Sequence, residues 1–178
     1  MRCFGDRGKG EGQFDYTCGI CFTADGNLVV AEQDNRRVQT VREGGSFVRS
    51  FGSAPAGGEN GQFDYHRACD VSVGPEGSIA VLDKGELPSR VQIFDEKGRF
   101  VRSIGEWSIE SGGWEPGELM DSTGVAHGTG GEIIVSDKGR RDVQVFSGER
   151  EGCCRSSGRM GTARWHGILL SLSLILGS

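Results

Sequence analysis

Gly12-Gln13-Phe14-Asp15-Tyr16 returns unchanged as Gly61-Gln62-Phe63-Asp64-Tyr65, and more faintly as Gly117-Glu118-Leu119-Met120-Asp121. The same grammar follows each copy: a short apolar strand, a glycine turn, a second strand ending on an acidic residue, a polar loop, and a strand carrying Val-Gln. One supersecondary unit written three times is the mark of a repeat architecture, in which a unit buries its apolar faces only against its neighbours.

In the first unit Gly19-Ile20-Cys21-Phe22 reads as strand a and Leu28-Val29-Val30-Ala31 as strand b, joined by Asp25-Gly26-Asn27. Glycine and asparagine supply the positive-φ positions such a turn needs. Arg37-Val38-Gln39-Thr40-Val41 reads as strand c and Ser46-Phe47-Val48-Arg49-Ser50-Phe51 as strand d, ended by Gly52. Alternating apolar and polar residues in c and d predict one buried face, whereas the more continuously apolar strands a and b predict burial on both faces, as near a propeller axis. The second unit repeats this through Ile104-Gly105, with a two-residue insertion after Tyr65 and a longer b–c loop. The third runs as far as Asp142-Val143-Gln144-Val145-Phe146, where the pattern stops and strand d is expected to be missing. At the other end, Arg2-Cys3-Phe4-Gly5 matches the end of a strand d from a preceding unit.

Composition agrees with many tight turns, since there are 31 glycines against 4 prolines. A formal charge of −5 argues against coating nucleic acid by bulk charge. Any polyanion must meet a local basic patch. Cys3, Cys18, Cys21, Cys69, Cys153 and Cys154 are irregularly placed without a signal peptide before them, which points to a reducing, cytoplasmic setting. Cys18 and Cys21 form a lone CxxC; structural zinc needs four ligands, so the pair reads as small packed residues of an inner strand.

Gly-x-Phe, the Gly-Ile or Gly-Val start of strand a, the acid closing strand b, Asp34-Asn35-Arg36-Arg37-Val38-Gln39 and the closing Phe-Gly together resemble the NHL repeat over residues 1–148. The wording is most similar to the C-terminal NHL domain of animal tripartite-motif (TRIM-NHL) ubiquitin ligases. That resemblance implies an all-β fold: a partial β-propeller of four-stranded antiparallel blades, about three of six. The blades span 12–52 and 61–105, with an incomplete blade at 117–148 and the end of a preceding strand d at 1–5. It also implies a non-catalytic binding or scaffold module for protein or single-stranded RNA. Ubiquitination and post-transcriptional regulation belong to the parent family, whose zinc-binding RING and B-box are absent from these residues. No DNA partner, cofactor or metal is expected.

In such a propeller the d–a connections and b–c loops share one face, which collects Tyr16, Arg36, Arg37, Tyr65, His66, Arg67, Arg90, Lys138, Arg140 and Arg141. Cations interleaved with aromatics suit single-stranded RNA, guanidinium for phosphate and ring faces for bases. Arg37 and Arg90 open strand c at a repeat-defining position, so pairing with acids such as Asp34 or Asp83 is the plainer reading for them. Arg36, Arg140, Arg141 and the Tyr65-His66-Arg67 insertion are not dictated by the repeat.

Related propellers include peptidyl-amidoglycolate lyases and lactonases with metal ligands around the channel, so a fragment of such an enzyme is the catalytic alternative. A purely protein-docking propeller fragment is another. His66, His127 and His166 occupy non-equivalent places and assemble no metal set, and nothing promises Cys18 or Cys69 a histidine partner. Three blades cannot close a ring, which predicts truncation or self-association through open blade edges. Residues 149–178 leave the repeat and read as a non-repeat tail, disordered or a gene-model artefact. Its apolar run Gly167–Leu176 is too short to span a bilayer.

Overall fold

The computed structural model describes residues 3–52, 60–63, 68–84, 88–110, 115–147 and 154–156. Three antiparallel sheets follow one another along the chain. The first holds β1 (Thr17–Phe22), β2 (Leu28–Glu32), β3 (Arg37–Val41) and β4 (Phe47–Phe51). The second holds β5 (Ala68–Val73), β6 (Ile79–Lys84), β7 (Ser89–Phe94) and β8 (Phe100–Ile104). The third holds β9 (Ser122–His127), β10 (Ile133–Asp137), β11 (Asp142–Phe146) and β12 (Cys154–Ser156). Each sheet is a meander with its strands hydrogen-bonded in chain order, and the described residues contain no helix.

The fourth strand of the third sheet departs from expectation. Gln144 lies opposite Ser156 and Val145 opposite Arg155, the register in which Gln39 faces Ser50 and Thr40 faces Arg49. In sequence, Arg155-Ser156-Ser157-Gly158 is then the counterpart of Arg49-Ser50-Phe51-Gly52 and Arg102-Ser103-Ile104-Gly105. Cysteine and serine stand where the other units carry Phe, Val and Ile, so the apolar alternation that announces a strand is gone.

The a–b hairpins share one register, with Ile20 opposite Val30, Val71 opposite Val81 and Val125 opposite Val135. Strand a of each blade packs along its neighbour, β1 on β5 and β5 on β9. The period of two along β6 sends Ile79 and Val81 to the first blade, where they meet Val29, Ala31 and Val38. Ala80 and Leu82 point the other way, to Ile133 and Val135. That double contact is why strand b reads as an unbroken apolar run. Each side chain fully buried in these layers stabilises by roughly 1.5–3 kcal/mol, so blade stacking holds the molecule together.

The closing glycines explain the pairing of Phe-Gly with Gly-x-Phe. Gly52 has φ +90° and an added Cβ would lie 2.0 Å from Phe63 Cε2; at Gly105, φ +85°, it would lie 2.3 Å from Leu119 Cδ1. The ring of one motif thus lies over the residue that ended the strand before it, where only glycine fits.

Candidate ligand-binding face

Gln39, Gln92 and Gln144 are fully buried in the middle of strand c. A buried amide needs its donors and acceptor met. In all three blades Oε1 accepts from the glycine amide that opens the repeat motif: Gly12 at 3.1 Å, Gly61 at 2.7 Å and Gly117 at 2.8 Å. Nε2 donates to the next carbonyl, that of Gln13 at 2.7 Å, Gln62 at 2.7 Å and Glu118 at 2.8 Å. In the first two blades it also reaches the acid ending strand b, Glu32 at 2.8 Å and Asp83 at 2.9 Å. The two halves of the repeat wording form one clamp, which ties each d–a connection to strand c and places it beside the b–c turn.

The arginines that open strand c belong to this clamp. Arg37 Nε donates to Glu32 Oε1 at 2.8 Å, and its terminal nitrogens donate to the carbonyls of Lys9, Gly10 and Gln13. Its partner is Glu32 rather than Asp34, because Glu32 is directly opposite it in the β2–β3 register. Arg90 Nε donates to Asp83 Oδ2 at 2.8 Å and reaches the Gln62 carbonyl. Both are positioning residues held inside the blade.

In the third blade aspartate replaces this arginine, so Asp142 faces Asp137 across the β10–β11 pair. Arg140 supplies the missing cation, its Nε donating to Asp142 Oδ2 at 3.2 Å and its amide to Asp137 Oδ1 at 2.9 Å. Its side chain is buried. Burial alone would push the Asp137 carboxyl up, but the amides of Arg140, Met120 and Asp121 and the Ser122 hydroxyl outweigh it, and the net shift is downward. Arg140 therefore stands with Arg37 and Arg90, although the repeat does not dictate it.

Three expected residues have a different character. Tyr16, Arg36 and Arg141 are the non-glycine residues with positive φ among the described residues, at 51°, 50° and 59°. The left-handed region costs an ordinary residue about 1–2 kcal/mol. Tyr16 is 66% exposed, Arg141 is exposed and Arg36 is half-buried. Arg36 and Arg141 occupy the same place in their b–c turns. Lys138 is exposed, and its Nζ lies 4.0 Å from Asp121 Oδ2. Lys84, at the equivalent position of the second blade, pairs with the same carboxylate. The sequence reading missed Lys84; its signal was the place directly after the acid of strand b. Tyr65, His66 and Arg67 lie outside the described residues.

The rest of the molecule offers weaker chemistry. Partial burial pushes the Cys18 and Cys21 thiols up to about 11, and Cys18 Sγ donates to the Ala68 carbonyl. His127 sits between Ser72 Oγ (3.1 Å from Nδ1) and Ser78 Oγ (3.3 Å from Nε2), bridging the second and third blades. Burial holds its pKa below the ordinary 6.5. Among the described residues no group of three His, Cys, Asp or Glu could hold a metal ion. No helix among them is long and apolar enough to cross a membrane. His66 and His166 lie outside the described residues.

A lowered histidine pKa means the unfolded chain takes up a proton that the folded chain resists, so this contribution to stability is present above pH 6.5 and declines as pH falls below it. Thermal unfolding followed from pH 7.5 to 5.5 is expected to show a smaller acid-side decline for His127→Gln than for the unaltered chain. Equal declines would mean that His127 does not titrate at the blade junction.

No family model matches the chain. It is 32% identical over 102 residues to Protein brain tumor of Drosophila melanogaster, a stretch covering 57% of this chain and 10% of that protein. A streptogramin B lyase structure superposes with a TM-score of 0.59 at 14% identity, covering 83% of this chain and 42% of that one. A gluconolactonase from Xanthomonas campestris superposes at 0.54 with 13% identity, over 82% and 48%. The chain thus spans a tenth of the curated relative and under half of each solved propeller; at such identities the two enzymes share its fold alone. With three four-stranded antiparallel blades packed side by side, the chain is a partial β-propeller, and its repeat grammar and that relative make its blades similar to NHL repeats of TRIM-NHL proteins.

Proposed function

We propose that this chain is a non-catalytic recognition module that binds single-stranded RNA on the face formed by its d–a connections and b–c turns, in the cytoplasm. The observation that carries the reading is the coincidence of Tyr16, Arg36 and Arg141 with the strained backbone positions. Glycine would be cheaper at each, and strain of this kind collects where a side chain has work to do. An exposed phenol ring suits stacking, and the guanidinium groups with Lys84 and Lys138 suit phosphates. The single Asp121 carboxylate between the two lysines is a weak, exchangeable partner. The resemblance to TRIM-NHL proteins connects this reading to post-transcriptional regulation and, through the parent protein, to ubiquitination.

The test is a single-stranded RNA titration by fluorescence anisotropy at several salt concentrations, using the unaltered chain and Arg141→Gly. Binding is expected to weaken at least tenfold between 50 and 200 mM salt, as a multi-phosphate contact does. Arg141→Gly should weaken it further and reduce the salt slope by about one. Because glycine relieves the left-handed strain, the same variant should match or exceed the unaltered chain in stability. Lost affinity with retained stability separates recognition from support. Absence of salt-dependent binding would favour protein docking, for which Trp107 and Ile109, exposed on the connection into the third blade, are the specific observation.

A further inference from the structure

Each sheet is a meander, so the a–b and c–d hairpins gather at the end of the blades opposite the d–a connections and b–c turns. Between the second and third blades they enclose a groove of about 490 Å³, both walls of which are made inside the chain. One wall holds Glu76 of the β5–β6 turn with Asp95 and Glu96 of the β7–β8 turn; the other is the β9–β10 turn, where Gly130 and Gly131 put no side chain into the space. Ile93, Phe94 and Ile133, almost wholly buried, form the floor, and Val101 lines it with 56% of its surface exposed. The charges around this groove do not cancel. Asp95 is committed to its own turn, accepting from the Lys97 and Arg99 amides at 2.9 Å and pairing with the Arg99 guanidinium. Arg102, the cation of the lining, donates to the Ser147 carbonyl at 3.2 Å. Lys97 is exposed but does not line the groove. Glu76 and Glu96 are exposed, and among the described residues neither carboxylate has a hydrogen bond or ion pair. The two turns that carry them are packed together, since a Cβ added at Gly77 would lie 3.2 Å from Glu96 Cβ. Two open carboxylates therefore stand on one rim above an apolar floor.

We propose that this groove docks an arginine-bearing segment of a partner protein, the guanidinium donating to the Glu76 and Glu96 carboxylates while its aliphatic stem lies on Val101 and the apolar floor. The unpaired negative charge calls for a cation, and guanidinium donors match carboxylates in geometry. The apolar floor calls for a cation on a hydrocarbon stem, which sets a long basic side chain above a hydrated metal ion. The volume exceeds that of one side chain, so residues flanking the arginine enter with it. The first blade does not repeat this rim: Asp25, in the place of Glu76, is held within its own turn by Thr23 and Asn27. This inference is independent of the RNA reading, because the groove lies at the other end of the blades and its test involves no nucleic acid.

The probe is an acetylated, amidated peptide, Gly-Leu-Arg-Leu-Arg-Gly, titrated into the isotope-labelled full chain and followed by amide NMR. Saturable shifts are expected at residues 75–78, 95–98 and 129–131, around the groove. Glu76→Gln combined with Glu96→Gln should weaken binding by at least about tenfold, with the rest of the spectrum unchanged because both side chains are exposed. Glu43→Gln, at the same place in the c–d turn of the first blade, should leave the affinity as it is. The same peptide with citrulline for both arginines keeps the shape and loses the charge, so it should bind the unaltered chain at least about tenfold more weakly. That comparison stands even if the double variant fails to fold. Absence of saturable shifts around the groove would overturn the proposal. Equal binding of the citrulline peptide would overturn it as well, by making the site apolar only, and so would tighter binding of spermine than of the peptide, which would make it a polyamine site. Shifts at the same residues on concentrating the chain alone would assign the groove to a second copy and overturn it too.

Discussion

Gln92→Ala is expected to destabilise the chain by about 3–4 kcal/mol, read as the shift of its urea midpoint at unchanged slope. The substitution removes a fully buried amide with three partners: the Gly61 amide, the Gln62 carbonyl and the Asp83 carboxylate. Each partner stays in place with its hydrogen bond unmade, and a buried polar group left so costs roughly 1–3 kcal/mol. Water entering the space tempers the sum. The loss is a large fraction of a total stability that is typically about 5–15 kcal/mol. Gln13→Ala is the control, because Gln13 Oε1 is engaged only with the Gly10 amide at an exposed site, and its loss should cost under about 1 kcal/mol. Similar costs for the two variants would show that strand c and the d–a connection are not clamped through the buried amide.

Gly52→Ala is expected to cost about 3–4 kcal/mol for a different reason. At φ +90° the left-handed backbone alone costs an alanine about 1–2 kcal/mol. The new methyl would also meet Phe63 at 2.0 Å, and Phe63 is buried against Phe94 with ring centroids 5.7 Å apart, so it has nowhere to retreat. Overpacking of this kind adds about 1–3 kcal/mol. Gly26→Ala isolates the backbone component, because Gly26 has φ +82° and nothing within 4 Å of an added Cβ. It should cost about 1–2 kcal/mol. If the two alanine variants melt together, the ring-over-glycine contact between blades contributes nothing.

The strand grammar was legible because it is local. The turn glycines and the continuous run in β2 announce themselves within a few residues, whereas two burial expectations fail: β3 is buried at all five positions because Arg37 and Gln39 are taken into the clamp, and the a strands β1, β5 and β9 are not covered on both faces. The repeat of Gly-x-Phe and Val-Gln was equally plain, but its meaning was not. Gln39 and Gly12 recur together in sequence, yet only the folded blade shows that one accepts from the other. β12 escaped because Cys154 and its neighbours lack the apolar alternation, while the Arg-Ser-x-Gly that aligns it with the other units is too short to stand out alone.

The candidate face divided along a line that sequence could not draw. Arg36 and Arg37 are adjacent and chemically identical, but Arg37 faces Glu32 in the ladder while Arg36 sits in the preceding turn with positive φ. Arg140 and Arg141 divide in the same way, Arg140 turning to Asp142 because the third blade has an acid where the others have arginine. Placement in the turn sorted each pair into one clamp residue and one candidate for recognition. The enzyme-like propellers that share this fold do not alter that division, since their likeness lies in the blades.

The clamp can be read in all three blades at once by amide hydrogen exchange at Gly12, Gly61 and Gly117. These amides lie in connections outside the sheets, where exchange is ordinarily fast, but each donates to a buried glutamine oxygen. The prediction is that all three exchange as slowly as the strand amides of their own blade, and that Gln92→Ala releases Gly61 while Gly12 stays protected. Rapid exchange at all three in the unaltered chain would contradict the three-fold clamp on which this description of the blades rests.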